Sequence, residues 1–210
     1  MKVLMARGYA RNIPNTSGGY HPHVSPVSPY QVCVVFLTRV GDDGEPEVLL
    51  GRKKTGLGSG NVVGLGGKIE AGETAVEAAV REVFEESSLV VEAADLTEMG
   101  LVKFAFPYRE NWSQDSTVFV GTRWRGEPQE SDEVNPAWYR IDALPLGDMW
   151  DDAKYWLPAV LAGERVLGDF TFGEDCATVS WHELHDPAYH PEFGVAHDAG
   201  HDPRVHTPET

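Results

Sequence analysis

The chain has 210 residues, 41% of them hydrophobic, with 33 acidic against 17 basic side chains and a formal charge of −16. The length suits one domain with tails and the apolar fraction supports a sizeable core, but the acidity excludes the basic footprint that binding to a nucleic-acid backbone needs. No apolar run reaches the ~18 residues of a membrane helix, and MKVLMARGYARN lacks the apolar stretch of a secretory signal, so neither a membrane nor export is expected.

Residues 1–29 carry four prolines and Gly18-Gly19 without periodicity, which predicts an extended or disordered arm. Gln31 to Val40 (QVCVVFLTRV) is a predicted strand, GDDGEP a turn, and Glu47 to Arg52 the second arm of a hairpin. Lys53 to Gly60 (KKTGLGSG) is a flexible loop, and Asn61 to Leu65 a short strand. A helix begins after Glu73, because Thr74 and Glu77 fit a capping box and no Gly or Pro occurs through Glu86. Val76, Ala79, Val80 and Val83 form its expected buried stripe. Strands follow at about 99–106, 117–124 and 137–141, with a polar turn at 107–114 and an acidic loop over Arg125 to Asn135. Asp152 to Ala162 reads as a helix, with Tyr155, Trp156, Ala159 and Val160 apolar and Gly163 as its stop. Val166–Phe172 and Ala177–Leu184 look like a closing hairpin, and a Pro- and His-rich tail occupies 185–210. These elements predict an α/β or α+β domain over 30–184. Cys33 and Cys176 read as small core residues of a reduced, cytoplasmic protein.

Chemistry concentrates in Gly67 to Leu89, GKIEAGETAVEAAVREVFEESSL. Glu82, Glu85 and Glu86 stand at i, i+3 and i+4, where like charges repel. A solvated acidic face is one reading; a hard divalent cation that offsets the repulsion is the other. The global acidity favours the cation, because a polyphosphate would otherwise be repelled. No histidine lies between Val24 and Trp181, so central acid–base work falls to carboxylates, lysine or tyrosine. The histidines at the two ends could bind a transition metal, or simply belong to tails.

The stretch follows G-x5-E-x7-R-E-U-x-E-E-x-G-U (U, apolar) at Gly67, Glu73, Arg81, Glu82, Val83, Glu85, Glu86 and Leu89, with Ser88 in place of the last glycine. It resembles the Nudix box. The resemblance implies an α/β/α sandwich with a mixed β-sheet and a Mg²⁺-dependent pyrophosphohydrolase, with Mn²⁺ as an alternative. It implies metal ligation by the Gly67 carbonyl, Glu82, Glu85, Glu86 and a distal glutamate, Glu133. Glu130 and Asp132 are neighbours that could be confused with Glu133, and a solvated loop charge is the other reading of it. Glu86 and Glu133 are both candidates for the general base. Arg81 can fork onto Glu73 if the loop folds back, bracing loop against helix; direct contact with phosphate is its second reading.

Over about residues 30–184 the likeness extends to the animal MutT-type 8-oxo-dGTP diphosphatases, through KKTGLGSGNVVGLGGKIEAGET, ESDEVNPAWYRIDALPLGDMWDDAKYWLP and GDFTFGEDCATVSWHEL. That family would place Lys53, Leu57, Phe104, Trp150, Asp152 and Trp156 around the nucleotide. Ordinary core is the alternative for both tryptophans. Three positions depart from the family pocket: Val63 replaces an asparagine that reads the base, Ala153 a second aspartate, and Gln114 a methionine. The implied reaction is hydrolysis of oxidised purine nucleoside triphosphates to monophosphate and pyrophosphate. Another nucleotide substrate, such as a dinucleoside polyphosphate or nucleotide sugar, and a non-catalytic nucleotide sensor are the alternatives.

Overall fold

The computed structural model describes residues 30–187. The arm expected over 1–29 and the tail from residue 188 lie outside the described residues. Eight strands form one mixed sheet with a helix on each face: β1 (Tyr30–Val40), β2 (Pro46–Lys53), β3 (Val62–Val63), α1 (Ala75–Ser87), β4 (Leu96–Ala105), β5 (Gln114–Gly121), β6 (Val134–Arg140), α2 (Ala153–Leu161), β7 (Val166–Phe172) and β8 (Val179–His185). The strand order is β3-β2-β1-β5-β4-β7-β8, with β6 on the other edge of β2. β1 runs parallel to β5 and β4 parallel to β7, while the other pairs are antiparallel. This is the α/β/α arrangement expected.

The sandwich follows from alternation along the central strands. Cys33, Val35, Leu37 and Leu49 pack on the α1 side, whereas Phe36, Val48 and Leu50 pack on the α2 side. Both faces of β1 and β2 are therefore apolar, and their near-continuous hydrophobic runs reflect it. The α1 stripe differs from expectation. Ala78, Ala79 and Val83 are buried, while Val76 and Val80 are only half-buried. On α2, Trp156, Leu157 and Val160 are buried, and Tyr155 and Ala159 sit at the rim.

Three strands start earlier than their apolar content indicates, and the first is β4, which begins at Leu96 rather than near residue 99. β5 begins at Gln114, inside the expected polar turn, because it pairs with Tyr30–Leu37 from its first residue. β6 begins at Val134 and includes Pro136, which an edge strand tolerates. β8 runs through His185, one residue into the expected tail. Cys33 and Cys176 are free and buried, and burial pushes the Cys33 thiol up to about 11. No helix among the described residues is long and apolar enough to cross a membrane.

The capping box at Thr74 and Glu77 is present, and Ser88 closes α1 with φ 60°, in the left-handed region. A Cβ there costs roughly 1 kcal/mol. Ser88→Gly should therefore raise stability by about 1 kcal/mol, or about 2–4 °C in Tm for a domain of this size, in a thermal melt. An unchanged or lower Tm would show that the serine strain is relieved elsewhere.

Candidate active site

β1 and β2 pair only near their hairpin, over Leu37–Val40 and Pro46–Leu49. Beyond it they splay, and the segment 62–69 fills the wedge. β3 pairs with Gly51 and Arg52, Val35 bridges to Leu65, and the Ile69 N–H donates to the Gln31 carbonyl at 2.9 Å. The insertion demands glycine. At Gly66 (φ 153°) a Cβ would lie 2.1 Å from the Cys33 carbonyl oxygen, and at Gly67 2.4 Å from a Glu82 carboxylate oxygen. The close neighbours that these glycines admit are β1 and α1.

The inserted segment brings Glu73 back over the first turns of α1. Arg81 Nε and Nη2 donate to the two Glu73 oxygens at 2.8 and 2.9 Å, and Nη2 also reaches the Lys68 carbonyl. Its Nη1 donates to Glu82 and Glu85 at 2.8 and 3.1 Å. The hydrogen bonds from Arg81 hold the Glu73 carboxyl down at about 2. One guanidinium thus joins the loop, the helix and two further carboxylates.

Glu86 is only 3% exposed, so a solvated acidic face describes Glu85 alone among the three. One Glu86 oxygen accepts the Gly66 N–H at 2.8 Å; the other stands 3.7 Å from Lys53 Nζ. Burial raises the Glu86 carboxyl to about 7 and also raises Glu82. Lys53 lies 3.9 Å from Glu133 as well, which brings that loop glutamate to the site. Glu130 instead pairs with Lys54 at 2.8 Å.

A cleft of about 630 Å³ runs from this acidic end to an aromatic end. Gly67, Arg81, Glu82, Glu85 and Glu133 line one part of it, and Lys53, Leu57, Phe104, Trp150, Asp152 and Trp156 also face it. Glu73 and Glu86 are not among its lining side chains, but Glu86 touches the lining residues Gly66 and Lys53. Trp150 packs edge-on against Phe106 and Phe172, which stack on each other with centroids 4.3 Å apart. Trp156 is 5% exposed and packs edge-on against Phe36, so it is both core and cleft wall. Its Nε1–H donates to Asp152 at 2.7 Å, and burial raises the Asp152 carboxyl to about 6. Val63, Ala153 and Gln114 line the cleft too. Sequence reasoning missed Ser116, Phe106 and Phe172 at the cleft; only the register of the sheet reveals them. No histidine among the described residues lines it.

The donor set is all oxygen, which suits Mg²⁺ or Mn²⁺ rather than a soft metal. Lys53 and Arg81 leave an excess of negative charge on the carboxylates around them. Among the described residues no three His, Cys, Asp or Glu side chains converge closely enough to hold an ion in this arrangement. The carboxylates of Glu82 and Glu85 are turned onto Arg81, so ligation requires rotation of these side chains. In chemistry and charge the residues fit the cation.

Two pH effects follow. Because its folded value is depressed, Glu73 contributes stability above its ordinary value near 4.5, and loses it as pH falls toward about 2. Glu73→Gln should flatten the acid limb of the stability–pH curve between these values, read by urea unfolding; an unchanged limb would show that the fork adds nothing. Asp152 has the opposite sign: its folded value is raised, so stability falls as pH rises from 3.8 to about 6. Asp152→Asn keeps an acceptor for Trp156 and should stabilise the protein at pH 7, by at most about 3 kcal/mol. A destabilised variant at pH 7 would contradict the burial argument.

Residues 29–160 match the NUDIX domain model. An oxidized purine nucleoside triphosphate hydrolase of Danio rerio is 45% identical over 125 residues, covering 60% of this chain and 78% of that protein. Its Mus musculus counterpart is 37% identical over 134 residues, covering 64% and 84%. The crystal structure of a MutT protein from Bacillus halodurans superposes with TM-score 0.60 at 25% identity, covering 74% of this chain and 97% of that one. The box residues thus lie in the fold and order of that domain, and the chain belongs to the Nudix hydrolase family.

Proposed function

We propose that this Nudix hydrolase cleaves purine nucleoside triphosphates, oxidised ones such as 8-oxo-dGTP among them, to monophosphate and pyrophosphate with Mg²⁺, or Mn²⁺ in its place. The observation that carries the reading is the cleft that joins a carboxylate-rich end to an aromatic end large enough for a base. The relatives named as oxidized purine nucleoside triphosphate hydrolases support it. The free, buried cysteines accord with a reduced, cytoplasmic setting.

The cation would be held by the Gly67 carbonyl with Glu82, Glu85, Glu86 and Glu133. Bound there, it neutralises phosphate charge and acidifies water. The chain supplies the rest. Arg81 braces the loop that presents Gly67, and Lys53 offers a point charge to phosphate. Trp150 presents a ring for stacking on the base. Asp152 accepts a hydrogen bond from the base when ionised and donates one when protonated, a change that falls near pH 6. Glu86 and Glu133 are the two candidate proton acceptors. Glu86 is the more deeply held, through Gly66 and Lys53, whereas Glu133 stands on an exposed loop.

A second reading, another nucleotide such as a dinucleoside polyphosphate or nucleotide sugar, is favoured by one observation. Val63 and Ala153 put apolar groups in the cleft where the resembling enzymes read the base. A nucleotide sensor without activity fits less well, since every box carboxylate is present.

Pyrophosphate release from 8-oxo-dGTP, 2-oxo-dATP, dGTP and dATP tests the proposal. Release should require the divalent ion and stop with EDTA. Glu86→Gln and Glu133→Gln should each lower kcat, and the variant lacking the base should fall by about 10²–10⁴-fold and lose the acidic limb of the pH–rate profile. Cleavage of nucleotide sugars or dinucleoside polyphosphates, with no release from any triphosphate, would replace this reading with the second.

A further inference from the structure

We propose that Ser116, together with Gln114, forms a polar edge of the base site on the sheet itself and sets the base preference of this enzyme. The inference rests on the reading of the cleft as a nucleotide site and goes beyond it by assigning the residues that select the base. Along β5, Gln114, Ser116, Val118 and Val120 share one face, because Val118 and Val120 pack in the α2-side core. Ser116 is 4% exposed and lines the cleft. Its cross-strand neighbours are Val32 and Val102, both apolar, and its hydroxyl has no hydrogen-bond partner among the described residues. A buried hydroxyl without a partner is costly, so it marks a place where a ligand atom completes the bonding.

Gln114 stands one pleat nearer the mouth, between Tyr30 and Phe104 in the sheet, and also lines the cleft. Its carboxamide makes no hydrogen bond among the described residues either. A hydroxyl donates and accepts, and a carboxamide offers one group of each kind. Together they suit a purine whose edge sets an amino or oxo group beside a ring nitrogen. Hydrogen-bonding capacity absent at Val63 and Ala153 is thus restored from the floor of the cleft.

Binding without hydrolysis separates this inference from the proposed activity. Trp150 and Trp156 line the cleft, so their fluorescence reports occupancy of the full chain by dGMP, 8-oxo-dGMP, dAMP, 2-oxo-dAMP and dCMP. Ser116→Ala removes the unpartnered hydroxyl without adding bulk, so its Tm should equal or exceed that of the wild type. Its affinity for the tightest purine should drop about tenfold, with a smaller change for dCMP, which narrows the spread among bases. Gln114→Met, at a half-buried position, should narrow the spread in the same direction and serves if Ser116→Ala does not fold. Equal affinities in wild type and variants for every base would overturn the inference and leave the triphosphatase reading to stand on pyrophosphate release. Absence of binding by all five nucleotides would overturn it together with the assignment of the cleft as a base site.

Discussion

The Arg81 guanidinium is the constraint on which the site depends. It ties Glu73 and the Lys68 carbonyl, on the returning loop, to Glu82 and Glu85 on α1. Without that tie the segment 62–69 would be held by its short pairings in the wedge between β1 and β2 and by the bond from the Gly66 N–H to Glu86. A forked, bidentate contact fixes direction as well as distance, which a lysine at the same place could not do. Arg81 acts with two further bonds, from the Cys33 N–H to the Gly67 carbonyl and from the Gly66 N–H to Glu86, to set the loop beside the helix carboxylates.

Charge organises the rest of the cleft. The chain as a whole is strongly acidic, yet Lys53 and Arg81 sit among the carboxylates where phosphates would lie. Lys53 stands between buried Glu86 and exposed Glu133, so it couples the helix to the loop before β6. A divalent ion and a polyphosphate bring opposite charges, and each lowers the electrostatic cost of the other's arrival.

The aromatic end is built differently. Its rigidity comes from packing: Phe106 on Phe172, and Trp150 edge-on to both. Trp156 answers the choice between core and site by serving as both, since its ring closes the α2-side core while its Nε1–H fixes Asp152. Polar recognition is spread over two elements, Asp152 at the start of α2 and the Gln114–Ser116 row of β5. In the proposed base site, selection would depend on how the sheet and the helix meet.

The sequence by itself determined the elements and the acidic end, because their signals are local. The apolar runs of β1 and β2, the Thr74–Glu77 capping box and the spacing of Glu82, Glu85 and Glu86 act within a few residues of chain. Even the Arg81–Glu73 fork was legible as one of two readings, because seven intervening residues let the two meet if the loop folds back. What only the tertiary structure decided is set by long-range register. Parallel pairing with β1 drew Gln114 out of an apparent polar turn and set it with Ser116 on the cleft floor. Burial behind the Gly66 loop removed Glu86 from the surface that its helical spacing implied. Glu133 rather than Glu130 met Lys53 because Lys54 captured its neighbour. Burial and cross-strand register involve residues far apart in the chain, and no local pattern encodes them.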